Sequence, residues 1–177
     1  MKNIAMFYFT GTQSSYYVSK MVKEGLIRKG YNVSMFKLEK ALNKTVDVDP
    51  KLFDMIGFVI PIYGFGTPRL VKEFIDTLPR NHAKVFILRT ASSNAWINQS
   101  ASVSIIHQLR KKWYDVFYDR ILITSSNWLL DIEDEVTKRL YSVTRDRKVP
   151  HIVHQIDKGI RRSYSRNFIR DVLVGVI

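Results

Sequence analysis

The chain has 177 residues, 46% of them apolar and 25% charged, a length that buries a sizeable core and a balance that excludes a disordered polymer. It contains no cysteine, which excludes disulfides, thiolate zinc sites, iron–sulfur ligation and a cysteine nucleophile within these residues. The formal net charge is +12, and residues 138–177 hold ten Lys or Arg against three Asp, so a basic face at that end suits an acidic protein, a nucleic acid or an anionic surface.

In chain order, residues 3–9 form a near-continuous apolar run, the pattern of a strand buried on both faces of a parallel sheet. The first residues lack the apolar core and small-residue cleavage site of a signal peptide. No run approaches the roughly 20 apolar residues that span a bilayer, and a cytoplasmic protein is expected. The polar loop Thr10-Gly11-Thr12-Gln13-Ser14-Ser15 follows at once, then Val18, Met21, Val22 and Leu26 at helical spacing. Gly30 supplies a C-terminal cap. Residues 32–38 alternate weakly as a second strand, and residues 41–51 read as a connecting loop.

Residues 55–60 are a strong apolar strand leading into Pro61-Ile62-Tyr63-Gly64-Phe65-Gly66. Thr67 is expected to cap a helix with Pro68 at its first position, burying Leu70, Val71, Phe74, Ile75 and Leu78. Residues 84–89 are a third buried strand, followed by a polar loop over residues 90–100. Ile105, Ile106, Leu109 and Trp113 mark another amphipathic helix, and residues 116–123 the last strand. Two helices follow. One is opened by Asp131, with Val136, Leu140 and Val143 inward. The other begins at Pro150, with Ile152, Val153, Ile156 and Ile160 inward.

Strands alternating with helices imply βαβ units, and right-handed crossovers then require a parallel sheet covered on both faces. The expected fold is an α/β doubly wound three-layer sandwich of five strands, a single domain over residues 1–177. Ligands of such sheets sit at the carboxyl ends of the strands.

Hydroxyls at Thr10, Thr12, Ser14 and Ser15 stand between a strand and a helix start, where unpaired N–H groups and the helix dipole suit a phosphate. The sequence has neither the Gly-x-x-x-x-Gly-Lys-Ser/Thr of a triphosphate loop nor the Gly-x-Gly-x-x-Gly of a dinucleotide fold. Read from spacing alone, the same residues also describe an ordinary helix cap.

The loop resembles the first loop of the flavodoxin family, Ser/Thr-x-Thr-Gly-x-Ser/Thr, at Thr10, Thr12 and Ser15. It departs from that pattern at Gln13, where the family carries glycine. Pro61-Ile62-Tyr63-Gly64 and the segment from Pro68 resemble the second flavin loop and its helix. More narrowly, Phe9-Thr10-Gly11-Thr12, Pro61-Ile62-Tyr63-Gly64 and Ser125-Ser126-Asn127-Trp128 resemble the flavodoxin-like half of proteins with two [4Fe–4S] clusters in a C-terminal ferredoxin domain. The cysteines of that domain are absent here.

The resemblance implies strand order 2-1-3-4-5 and bound flavin mononucleotide (FMN). Its phosphate would meet Thr10, Gly11, Thr12, Gln13, Ser14 and Ser15. Its ring would meet Pro61, Ile62, Tyr63 and Gly64 of the second loop, and Ala91, Ser92, Ser93, Asn94 and Trp96 of the third. Tyr63 and Trp96 are the candidate aromatic platforms, and chemistry at the flavin needs no protein acid or base. The implied partners are an acidic, ferredoxin-like redox protein or a small acceptor such as a quinone or azo compound. The other reading is a flavodoxin-fold binding module with little or no flavin, whose basic face meets a protein or nucleic acid.

His151 and His154 have helical metal-ligand spacing but no thiol or carboxylate neighbour in sequence. The acidic residues Asp131, Glu133, Asp134 and Glu135 are explained by a helix N-terminus. No nucleophile elbow occurs.

Overall fold

The computed structural model of the chain describes residues 1–125 and 135–162. Residues 126–128, Asp131, Glu133 and Asp134 of the readings above, and the end of the basic stretch over residues 163–177, lie outside the described residues.

The apolar runs become five parallel strands: β1 (Asn3–Tyr8), β2 (Asn32–Lys37), β3 (Met55–Pro61), β4 (Lys84–Ala91) and β5 (Asp115–Ile123). Their order in the sheet is β2-β1-β3-β4-β5, as expected. β3 lies at the centre and is buried from Met55 to Ile60, which is why its sequence shows no polar alternation.

Two apolar layers cover the sheet. On one face, α1 (Ser14–Arg28) and α6 (Val149–Asp157) bury Val18, Met21, Val22, Leu26, Ile152, Val153 and Ile156 against Ile4, Met6 and Leu88. On the other, α3 (Arg69–Thr77) and α4 (Val103–Lys111) bury Val71, Phe74, Ile75, Ile105, Ile106 and Leu109 against Phe7, Phe58, Val85 and Ile87. Gly57 admits the Phe86 ring into the space that a Cβ would take, so a side chain there collides with the neighbouring strand.

Several local expectations are corrected. The expected loop over residues 41–51 contains the end of a short helix, α2 (Leu38–Leu42), and a 3₁₀ turn at Pro50–Leu52, because Leu38 is drawn wholly into the core. Thr67 does not cap α3; its hydroxyl donates to the Ala101 carbonyl at 2.6 Å, and Pro68 takes the N-cap position. Trp113 lies past the end of α4 at φ 71° and is exposed between Arg80 and His82 rather than inward.

Helix α5 (Glu135–Val143) buries Thr137, whereas Val136 is 66% exposed. A π-helical turn, Thr144–Lys148, joins α5 to α6. Ile160 lies beyond α6, past Gly159 at φ 64°, and is exposed. No described helix is long and apolar enough to cross a membrane.

Candidate functional site

With order 2-1-3-4-5, the direction of winding reverses between β1 and β3, and the loops that leave their carboxyl ends part around a crevice. The loop after β1 occupies this place. Among the described residues, no backbone N–H from Gly11 to Tyr16 donates to a backbone carbonyl, and the first helical bond runs from Tyr17 N to Gln13 O at 3.0 Å. The loop therefore presents a consecutive set of backbone donors beside the positive end of α1.

Gln13 is the N-cap of α1 and holds φ 68°, ψ −13°, the left-handed region, without a side-chain cap bond. Reversing from β1 into α1 requires positive φ at this position. A glutamine there carries a steric cost that glycine lacks, about 1 kcal/mol. The departure from the family pattern thus falls on the residue where the backbone is most demanding.

The four hydroxyls divide into two pairs. Ser14 Oγ donates to the Ser125 carbonyl at 3.2 Å, and Ser15 Oγ bonds Thr90 Oγ1 at 2.8 Å, both serines being buried. They tie the start of α1 to the ends of β5 and β4. Thr10 and Thr12 are half-buried, and neither hydroxyl has a partner among the described residues. Their oxygens are available to a ligand.

The second loop folds back on itself. Tyr63 N donates to Gly66 O at 3.0 Å and Gly66 N to Tyr63 O at 2.9 Å, with Gly64 at φ 52° and Phe65 at φ 62° between them. Two successive positive φ values make a tight primed turn. The Tyr63 hydroxyl fills the space that a Cβ at Gly11 would occupy, and its ring meets Phe9 edge-on at 6.1 Å. Tyr63, Gly64 and Phe65 are exposed, while Pro61 and Ile62 are half-buried, with Ile62 N bonded to Thr90 O at 3.0 Å.

The third loop begins after Ala91, whose carbonyl accepts from Thr124 N at 2.9 Å. Ser92, Ser93 and Asn94 are exposed, and Trp96 starts a 3₁₀ segment, Trp96–Ser102, with its ring 54% exposed and stacked on no described ring. The first and second loops are thus in contact through Tyr63 and Gly11, whereas Trp96 joins neither by a ring contact.

A buried pair that sequence reading missed supports this third loop. The Arg89 guanidinium donates to both carboxylate oxygens of Asp119, Nε at 2.8 Å and Nη2 at 2.9 Å, and Ser102 Oγ adds 2.7 Å. Arg89 Nη1 also reaches the carbonyls of Asn98 and Gln99 at 2.7 and 3.2 Å. Burial pushes the Asp119 carboxyl up, while Arg89 and Ser102 pull against that shift. Charged residues inside two largely apolar strands, Arg89 in β4 and Asp119 in β5, were the available signal, because a buried charge demands a partner.

No family model and no curated protein matches the sequence. The fold is similar to that of solved structures. Oxidised Flavodoxin 2 from Bacillus cereus is 11% identical with a TM-score of 0.59, covering 89% of this chain and 96% of that one. An azoreductase from Bacillus anthracis is 9% identical with a TM-score of 0.59, covering 88% and 100%. An NAD(P)H:quinone oxidoreductase from Methanothermobacter marburgensis is 14% identical with a TM-score of 0.52, covering 82% and 98%. Strand order, layering and these likenesses together assign the chain the flavodoxin-like fold.

Proposed function

We propose that the protein binds FMN at the loop after β1 and transfers electrons through it to a redox partner protein or a small acceptor. The observation that carries this reading is the consecutive row of N–H groups from Gly11 to Tyr16 that, among the described residues, donate to no backbone carbonyl, at the switch point of the sheet. The residues present fit a phosphate monoester: backbone donors, two uncommitted hydroxyls at Thr10 and Thr12, and a glycine at position 11. They also offer exposed aromatic surface at Tyr63 and Trp96 for a flat ring.

In this reading Thr10 and Thr12 donate to the phosphate together with the loop backbone. Ser14 and Ser15 act one step back, fixing the start of α1 against β5 and β4. Tyr63 would hold the ring by its aromatic face, and residues 91–94 would supply its polar contacts. When bound, the flavin supplies one- or two-electron chemistry at its own ring. Arg89 and Asp119 hold the third loop in place and take no part in that chemistry.

An absorption titration of the purified protein with FMN tests the proposal. Saturable, shifted flavin bands are expected, with affinity falling at least tenfold in the Thr10→Ala/Thr12→Ala variant. Unshifted bands at all concentrations would overturn it and leave the loop a helix start only. Turnover of a quinone with reduced nicotinamide separates a reductase from a carrier.

A further inference from the structure

A cleft of about 410 Å³ beside β5 has Arg120, Lys148 and Arg162 in its lining, together with Ile152, Asn94 and Gln99. Its charge is one-sided. Among the described residues of the lining the only acid is Asp119, which has both carboxylate oxygens engaged by Arg89 and one of them also by Ser102. The ion pairs among the described residues include none that uses Arg120, Lys148 or Arg162. The adjacent Arg161, by contrast, is paired with Asp115 at 2.7 Å.

The cations are also held in position. Arg120 Nη1 donates to Gln155 Oε1 at 3.2 Å, and the same oxygen accepts from the Tyr118 hydroxyl at 2.6 Å. That bond uses one of the five guanidinium donors and fixes the plane of the rest. Lys148 leaves the π-helical turn Thr144–Lys148 and reaches the Ile123 carbonyl at a long 3.4 Å. Burial and the charge of Arg120 both push the Lys148 ammonium down. Like charges gathered in a half-buried cleft repel one another unless an anion lies between them.

We propose that this cleft binds the phosphate group of a small molecule, with Arg120, Lys148 and Arg162 as the anion contacts. Arg120 offers a planar fork, Lys148 a point charge, and the Asn94 and Gln99 amides neutral polar contacts. Asn94 also belongs to the third loop of the proposed flavin region. If that reading holds, the molecule is a phosphorylated electron donor or acceptor whose other end reaches the flavin. Anion binding itself does not depend on it.

Pyrophosphate is the probe, titrated calorimetrically at constant ionic strength into flavin-free protein. Three proteins are compared: the natural chain, Arg120→Gln/Lys148→Gln, and a control with the same charge change on α4, Arg110→Gln/Lys111→Gln. Saturable binding is expected, with a component that persists when FMN is added in excess and is weakened at least tenfold in the cleft variant and less than twofold in the control. Equal weakening in both variants, or none in the cleft variant, would overturn the proposal, as would non-saturable binding to the natural chain.

Thermal melts confirm folding, and Lys148→Met serves as a second variant with the same expected direction. An FMN titration of the cleft variant keeps the two sites apart. Unchanged flavin affinity is expected. Loss of FMN and pyrophosphate affinity together would make the cleft part of the flavin site and refute a separate one.

Discussion

Gln13 shows how one residue can carry a backbone demand that its own chemistry does not favour. At φ 68° it pays for the reversal from β1 into α1 with steric strain. Gln13→Gly is expected to raise stability by about 0.5–1 kcal/mol in urea unfolding, the relief of strain exceeding the added freedom of the unfolded chain. A loss of stability would show that the glutamine side chain contributes more than its backbone costs. The sequence marked this position through the family pattern, but only backbone geometry reveals the sign of φ. It likewise indicated a hydroxyl-rich loop without indicating that Ser14 and Ser15 face inward while Thr10 and Thr12 remain available.

Tyr114 gives a pH-dependent expectation at the same scale. Burial, with the Asp49 charge second, pushes its phenol up to about 12, and its hydroxyl donates to the Pro79 carbonyl at 2.9 Å. A folded-state pKa above the unfolded value of about 10 means stability is fully present below pH 10 and lost as pH rises toward 12. Loss of roughly 2 kcal/mol from this group is expected across that window. Tyr114→Phe should cost about 1 kcal/mol at pH 8 and flatten the alkaline decline. An equally steep decline in the variant would assign it to other groups.

At the scale of elements, strands were the most legible part of the chain. Continuous apolar runs gave β1, β3, β4 and β5 nearly to the residue, since a strand covered on both faces tolerates few polar side chains. Arg89 and Asp119 are buried exceptions, and together with Ser102 they fasten the 3₁₀ segment of the third loop to β4 and β5. Arg89→Ala leaves a buried carboxylate without its main partner and should cost about 3–5 kcal/mol. The paired replacement Arg89→Met/Asp119→Leu should recover much of that in chemical denaturation. If the double variant is no more stable than the single one, the network's worth lies in its shape rather than its charge.

Helices were less legible at this scale. α5 turns Thr137 rather than Val136 inward, because the face is chosen by what it packs on and not by hydrophobicity alone. Trp113 and Ile160 went wrong for a related reason. Each follows the last helical turn, where positive φ at Trp113 or Gly159 redirects the chain and breaks the 3.6-residue period.

Across the whole molecule, alternation of strands and helices was enough to anticipate the three-layer sandwich, while the family resemblance anticipated the strand order that sets the crevice between β1 and β3. Net charge was visible as a total of +12, but its gathering into the β5 cleft was not, because Arg120, Lys148 and Arg162 meet only in the fold. The central claim is that the loop after β1 holds a phosphate. Parallel titrations with FMN and with riboflavin, which shares the ring and lacks the phosphate, test it most directly. Affinity for FMN at least tenfold above that for riboflavin is the expected result; equal affinities, or no binding of either, would contradict it.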